Sequence, residues 1–357
     1  MRVLIMAGGT GGHVFPALAV AEVLGQRGAE VHWLGAEGGR EVRWVGQAGL
    51  PIHTVPVAGL RGKSLGARLK GVLSMMRALM RALGIVRRLK PDVVLGMGGY
   101  AAAPGALASR VLRCPLVIHE QNALPGMTNR VLARFATQCL EAFPGAMSRI
   151  AGHVELVGNP VRRTLIERSA EAAAAGSRTP LTILVLGGSL GAQALNEIVP
   201  RALAEISVPV DMKVIHQAGE GKAGDCLEAY RKAGVEADVV PFIDDMGAAY
   251  AQADLVICRA GAMTLAELMV MGRPAILVPF PHAVDDHQYY NARYLADAGA
   301  ACILRQSELT PARLGKTVQD LLSRPERLQE MGQSARSLAR PEAAERIADI
   351  LETLAHA

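Results

Sequence analysis

One device appears twice in this chain, and it restricts the fold more than any other feature. Val3-Leu4-Ile5-Met6 runs into Gly8-Gly9-Thr10-Gly11-Gly12-His13 and then into the helix-forming stretch Pro16-Ala17-Leu18-Ala19-Val20-Ala21. Thr182-Ile183-Leu184-Val185-Leu186 runs into Gly187-Gly188-Ser189-Leu190-Gly191-Ala192 and then into Gln193-Ala194-Leu195-Asn196. Each reads as a buried strand, a glycine loop and a helix start. Free backbone N–H groups and the positive end of the helix dipole converge at such a junction and favour an anion. The two copies lie about 180 residues apart. They predict an α/β protein of two doubly wound, Rossmann-like domains whose parallel sheets face one another across a cleft. Such a cleft suits a nucleotide-linked substrate.

The rest of the chain fits that frame. Apolar strand candidates at 2–6, 31–34, 92–95, 116–119, 154–157, 182–186, 212–216, 237–241, 254–258 and 275–279 alternate with helical stretches. That order makes βαβ units and parallel sheets, and 357 residues suffice for two domains. Gly158-Asn159-Pro160-Val161-Arg162 breaks the periodicity, and a polar, alanine-rich stretch at 167–180 follows. We place the linker near 160–180, the first domain at 1–160 and the second at 161–340. The last helix candidate, 342–355, follows Pro341 and could return to either domain; 341–357 is assigned to the first.

Composition removes several function classes. No run of 18 apolar residues lacks a charge or a Gly/Pro cluster, so no transmembrane helix is expected. The opening apolar run is too short for a signal peptide. Five cysteines, scattered and without a CxxC, argue against disulfides and against a cysteine-rich metal site. Residues 1–160 carry 18 Lys+Arg against 8 Asp+Glu, a net of +10, while the remainder carries 20 against 25, a net of −5. A basic half predicts a face for a polyanion or an anionic membrane. From Arg61 to Lys90 there are nine basic residues and no acid. On a helix, Leu65, Leu69, Val72, Met76, Leu79, Leu83 and Val86 would form an apolar stripe beside Lys70, Arg77, Arg81 and Arg88. That stripe either rests on an anionic bilayer or packs on the domain's own sheet. Aromatic residues make up only 4% of the chain, leaving few stacking platforms, so no nucleic-acid partner is expected.

Several loops carry residues suited to chemistry. The first glycine loop is not a dinucleotide fingerprint, since Val14 stands where the third glycine of G-x-G-x-x-G belongs, and no GK[ST] follows. His13 at the helix start is a candidate general base, because the helix N-terminus disfavours imidazolium; it could equally cap the helix. Gly96-Met97-Gly98-Gly99-Tyr100 either packs against the first loop or cradles a second diphosphate. Asn122, at the end of His119-Glu120-Gln121-Asn122, could bond a sugar hydroxyl or cap the helix that Pro125 starts. Ser189 can reach a phosphate. Glu267 could accept two hydrogen bonds from a ribose diol or merely complement a helix dipole. Asp285-Asp286 has no accompanying D-x-D, so no metal ligand and no cofactor are assigned.

Taken in order, these motifs resemble the membrane-associated N-acetylglucosaminyltransferases of bacterial peptidoglycan synthesis, within the wider two-domain GT-B glycosyltransferases. The match covers the whole chain. It includes Gly8-Gly9-Thr10-Gly11-Gly12-His13, Gly98-Gly99-Tyr100, His119-Glu120-Gln121-Asn122, Gly158-Asn159-Pro160-Val161-Arg162, Gly187-Gly188-Ser189-Leu190-Gly191-Ala192, Arg259-Ala260-Gly261-Ala262, Thr264-Leu265-Ala266-Glu267 and His287-Gln288. The resemblance implies transfer of GlcNAc from UDP-GlcNAc to the 4-hydroxyl of MurNAc on undecaprenyl-diphosphate-MurNAc-pentapeptide (lipid I). Lipid II would form by inversion, in one displacement and without a bound metal, at the cytoplasmic face of the inner membrane. It implies His13 as base and Thr10, Gly11 and Gly12 around it. It further implies Ser189 and Arg162 at the leaving diphosphate, the Ile243 backbone at uracil, Glu267 at ribose, and Gln288 with Asn122 at GlcNAc. Ala262, Met263, Thr264, Leu265 and Ala266 complete the donor-binding stretch. A UDP-GlcNAc 2-epimerase of the same fold and an NAD-dependent oxidoreductase are the competing readings; the failed G-x-G-x-x-G weighs against the latter.

Overall fold

Strands that are apolar along their whole length need cover on both faces. The computed structural model describes residues 1–57, 65–174, 180–188, 190–207 and 211–356, with backbone only at 65–73 and 171–174. It supplies that cover in two compact units, Met1–Arg162 with Pro341–Ala357, and Arg163–Arg340.

The first unit runs β1 (Arg2–Met6), α1 (Gly11–Gln26), β2 (Glu30–Ala36), α2 (Glu41–Gln47), β3 (Ile52–Val55), α3 (Leu65–Leu89), β4 (Val93–Gly96), α4 (Ala102–Val111), β5 (Leu116–Glu120), α5 (Met127–Leu132), β6 (Gln138–Glu141) and β7 (Val154–Leu156). Its sheet is parallel throughout, in the order β3-β2-β1-β4-β5-β6-β7. The second runs α6 (Arg163–Ala174), β8 (Leu181–Leu186), α7 (Gln193–Ala204), β9 (Met212–Gln217), α8 (Ala223–Ala233), β10 (Asp238–Val240), α9 (Met246–Gln252), β11 (Leu255–Cys258), α10 (Ala262–Met271), β12 (Ala275–Leu277), α11 (His287–Asp297), β13 (Ala301–Ile303), α12 (Pro311–Leu322) and α13 (Pro325–Ser337). Its sheet, also parallel, is ordered β10-β9-β8-β11-β12-β13. The last helix, α14 (Ala343–Ala355), belongs to the first unit. Ile347, Ile350 and Leu351 share a buried cluster with Val14, Ala17, Val20 and Leu24 of α1. Arg27 pairs with Asp349 (2.7 Å) and Glu352 (3.1 Å), and Arg346 with Glu155 (2.6 Å).

Four elements depart from the sequence reading. β3, β6 and β13 are not among the strand candidates; each is only three or four residues long, and β3 and β6 are partly polar, so period and propensity carry little signal. The stretch placed in the linker is instead α6, anchored by the buried Leu165 and an Arg163–Glu167 pair at 2.8 Å. Residues 175–179 lie outside the described residues.

Helix α3 runs unbroken through Gly71 and Gly84. The side chains of Leu65, Leu69, Lys70 and Val72 lie outside the described residues. Beyond them, Ala78, Ala82, Ile85 and Val86 are buried against the sheet, with Leu79 and Leu83 half-buried beside them. Met76, expected in the apolar stripe, is 60% exposed, and Met80 is 69% exposed. Of the predicted stripe, Leu79, Leu83 and Val86 pack on this cluster and Met76 does not, so the inner face is shifted toward Ala78, Ala82 and Ile85.

Candidate active site

Doubly wound sheets open their ligand sites where adjacent strands send their crossovers to opposite faces, beyond the carboxyl ends of those strands. In the first unit this switch lies between β1 and β4, and in the second between β8 and β11. The glycine loops leave β1 and β8, so each sits at its sheet's switch point.

In the first unit the loop after β1 packs on the loop after β4. Gly99 has φ +88, and a Cβ there would fall on the Gly8 carbonyl. Gly98 has φ +98, and a Cβ there would lie 2.9 Å from His13 Cδ2. Close packing therefore accounts for Gly98 and Gly99. The Thr10 carbonyl accepts from His13 N (3.1 Å) and Val14 N (3.2 Å) as α1 begins, and Thr10 makes no side-chain cap. His13 is half-exposed, its ring held between Gly98 and the Thr10 hydroxyl, with Nδ1 3.5 Å from Thr10 Oγ1. That distance is at the outer limit of a hydrogen bond. Gly11 and Gly12 contribute first-turn N–H groups, which have no intrahelical acceptor.

Glu41 was not picked out from the sequence. It is wholly buried and accepts from Ala36 N (2.8 Å) and Gly9 N (3.2 Å). A Cβ at Gly8 would lie 2.5 Å from Glu41 Oε1, so glycine there makes room for the carboxylate. Part of the anion-binding capacity expected of this loop is therefore filled by the protein's own side chain.

At the end of β5, His119 is fully buried and its Nε2–H donates to the Gly158 carbonyl (2.8 Å). Burial lowers its pKa to about 4, so the ring is neutral. Glu120 accepts from Asn122 N (3.0 Å), Asn122 Nδ2 (3.2 Å), Gly126 N (3.0 Å) and Asn129 Nδ2 (2.8 Å). It fixes the direction of Asn122. Asn122 is not a helix cap: α5 starts at Met127 with Gly126 at its N-cap. Gln121 Nε2 donates to Met97 O (2.7 Å) and Asn159 Nδ2 to Gln121 O (3.0 Å). These bonds join the ends of β4 and β5 to the turn that leads to the exposed Arg162.

The second unit gathers its predicted residues at the carboxyl ends of β8 to β12. Gly191 (φ +67) lies so close to the Ala218 carbonyl that no side chain fits. Lys222 Nζ donates to Leu190 O (2.8 Å). Ser189 lies outside the described residues. The Ile243 N–H donates to Gln217 Oε1 (3.0 Å), while Gln217 Nε2 donates to Gly188 O (3.2 Å). Helix α10 has Gly261 at its N-cap, so the first-turn N–H groups come from Ala262, Met263 and Thr264; Leu265 and Ala266 are buried beneath them. Glu267 lies in the second turn, and its Oε2 accepts from Tyr250 OH (3.0 Å). The dipole-complement alternative therefore falls, since that interaction fades beyond the first turn. Tyr250 itself is fully buried.

Gln288 lies in the first turn of α11, and its Oε1 accepts from Phe280 N (2.9 Å). The turn beneath it is held by Arg259, which donates to Val278 O (3.1 Å), Pro279 O (3.3 Å) and Gln306 Oε1 (2.6 Å). Burial lowers the Arg259 pKa and raises that of the neighbouring Cys258 thiol far above its ordinary value. Asp285 and Asp286 both have φ +53, and Arg305 lies 3.4 Å from Asp286 Oδ2. Among the described residues no group of three or more His, Cys, Asp or Glu is placed to hold a metal ion.

Two parallel α/β units, each with a glycine loop at its switch point, have the architecture of the two-domain glycosyltransferases. The N-terminal domain of glycosyltransferase family 28 matches residues 3–141 and the C-terminal domain of that family matches residues 182–349. The chain belongs to glycosyltransferase family 28. It is 53% identical over 351 residues to the UDP-N-acetylglucosamine–N-acetylmuramyl-(pentapeptide) pyrophosphoryl-undecaprenol N-acetylglucosamine transferase of Alkalilimnicola ehrlichii, covering 98% of each chain. The crystal structure of Acinetobacter baumannii MurG superposes with a TM-score of 0.85 at 41% identity, covering 99% of each chain. A solved UDP-N-acetylglucosamine 2-epimerase matches at a TM-score of 0.65 and 14% identity, over 100% of this chain and 96% of that one. That likeness is of fold alone. The family match favours the transferase over both the epimerase and the oxidoreductase.

Proposed function

We propose that this chain transfers GlcNAc from UDP-GlcNAc to the 4-hydroxyl of MurNAc in lipid I, giving lipid II for peptidoglycan. The observation that carries this reading is the 53% identity, over 98% of both chains, to a transferase named for that donor and acceptor. The donor is held mainly by the second unit. Uracil meets the Ile243 backbone, the ribose diol meets Glu267, and the diphosphate meets Ser189, Arg162 and the first-turn N–H groups of α10. GlcNAc meets Gln288 and Asn122. The acceptor hydroxyl attacks the anomeric carbon from the face opposite UDP. The bond to the diphosphate oxygen breaks with its electron pair, and the hydroxyl proton passes to His13. Configuration inverts, with no covalent glycosyl-enzyme. Negative charge grows on the diphosphate in the transition state, where prearranged N–H dipoles stabilise it most.

The acceptor is a lipid, and the first unit offers a surface for it. Met80 on α3, Val111 and Leu112 at the end of α4, and Met127, Val131 and Phe135 on or beside α5 are exposed apolar side chains. Arg110, Arg113, Arg130 and Arg134 lie among them. Exposed apolar side chains with arginines close by in sequence suit the interface of an anionic membrane. Among the described residues no helix is long and apolar enough to cross a membrane. We place the enzyme peripherally, on the cytoplasmic face of the inner membrane. The test is release of UDP from UDP-GlcNAc with and without a lipid I analogue. Acceptor-dependent release is expected; epimerisation of UDP-GlcNAc without acceptor would overturn the reading.

A further inference from the structure

Strand β9 ends in two buried side chains that alternate across the sheet. His216 turns to the core, 2.9 Å from Tyr230 OH and 3.2 Å from Asn196 Oδ1. Gln217 turns the other way and spends both ends of its amide on backbone. Its Nε2 donates to the Gly188 carbonyl in the glycine loop after β8, and its Oε1 accepts the Ile243 N–H beyond β10. The two segments are 55 residues apart in sequence. We infer that Gln217 is a positioning residue for the donor nucleotide, a strut that couples the segment receiving the base to the loop receiving the diphosphate. The inference rests on the donor site proposed above.

The physical case has three parts. The base of the strut is rigid: Gln217 pairs with Leu186 of β8 on one side and Val240 of β10 on the other. Just beyond it, Ala218 N donates to Val240 O (2.9 Å) and Gly219 N to Pro241 O (3.2 Å). The chemistry suits an amide, which offers a planar donor and acceptor side by side at one side-chain tip. A glutamate would face the Gly188 carbonyl with a second acceptor, and an apolar residue would strand the Ile243 N–H. The linkage is also direct, a single side chain between two backbone groups. Uridine engages only one end of the strut, whereas UDP engages both. Ordering at one end then favours binding at the other.

The experiment is calorimetric titration of the full chain with uridine and with UDP, for the wild type, Gln217→Ala and Gln217→Glu. Loss of the coupling hydrogen bonds should weaken UDP about fivefold to fifteenfold in Gln217→Ala and uridine by no more than about twofold. The KM for UDP-GlcNAc should rise with UDP dissociation while kcat at saturation holds. Gln217→Glu keeps the acceptor for Ile243 and loses the bond to Gly188. It should therefore weaken UDP too, while the Ile243 amide stays slow in hydrogen exchange; in Gln217→Ala that amide should exchange faster. Equal weakening of uridine and UDP, or unchanged UDP affinity in both variants, would overturn the strut. If Gln217→Ala does not fold, Gln217→Glu decides by the same comparison. A wild-type chain that binds neither ligand would overturn the donor-site reading and the strut together. Wild-type binding with unaffected variants would overturn the strut alone.

Discussion

Tyr250→Phe removes one hydroxyl from a fully buried ring and nothing else. That hydroxyl donates to Glu267 Oε2 at 3.0 Å. A net hydrogen bond to a charged acceptor contributes about 1.5–3 kcal/mol when its loss leaves the acceptor bare. Glu267 is half-exposed, so water replaces part of the loss and about 1–2 kcal/mol is expected. For a unit of this size, Tm should fall by about 2–4 °C per kcal/mol. The kinetic effect follows from orientation. A carboxylate that has lost this anchor must be reordered when ribose binds, at a cost of about 0.5–1.5 kcal/mol. KM for UDP-GlcNAc should therefore rise about twofold to tenfold, with kcat unchanged because Tyr250 touches no reacting atom. Glu267→Ala, which loses the ribose contacts themselves, should cost about 2–4 kcal/mol in donor affinity. A double-mutant cycle between Tyr250→Phe and Glu267→Gln should show coupling. If the two effects add, or if Tyr250→Phe lowers kcat at constant KM, Tyr250 does not act through Glu267.

Other outcomes can be stated briefly. His13→Ala should lower kcat about 10²–10⁴-fold with little change in donor affinity, and the acidic limb of the pH–rate profile should flatten; turnover near wild type would leave His13 as packing for Gly98. His119 and His216 are held neutral by burial, with pKa values lowered to about 4 and about 3. The unfolded chain binds protons at these sites below about pH 6.5 and the folded chain does not, so stability is full above that pH and falls as pH drops toward 4. The slope should be about 1.4 kcal/mol per pH unit for each histidine, and His216→Asn should show a shallower acid decline in thermal melts. Replacing Met80, Val111 and Met127 together by Ser should cut sedimentation with anionic liposomes and leave turnover of a short-chain soluble acceptor intact; unaltered sedimentation would move the membrane face elsewhere.

The repeated strand–glycine–helix junction was legible because its signal is local: an apolar run, a backbone that only glycine permits, and a helix start follow one another directly. The same holds for the Ala262–Glu267 turn after β11. The groups that hold these loops were harder to see. Glu41 sits among Arg40, Val42 and Arg43 and reads as one charge on a surface helix. Its burial depends on Gly8 and Ala36, which lie apart in sequence. Tyr250, beside Ala248, Ala249 and Ala251, reads as core packing, and only the fold brings Glu267 to its hydroxyl. Gln217 follows a histidine at a strand end, where no pattern marks it. For α3, helical period predicted an apolar stripe but not the shift of its inner face toward Ala78, Ala82 and Ile85. Interactions that join distant segments leave no period in the chain.

The chain leaves the first unit at residue 162 and returns to it at residue 341, which makes the second unit an insertion into the first. During synthesis the inserted unit emerges as one uninterrupted segment and can complete its sheet as it appears. The first unit, begun earlier, cannot. Its cluster around Val14, Val20 and Leu24 has a gap until Ile347 and Leu351 arrive. Domains ordinarily fold in the order of synthesis; here the later one should finish first, and the earlier one should wait with an apolar groove open.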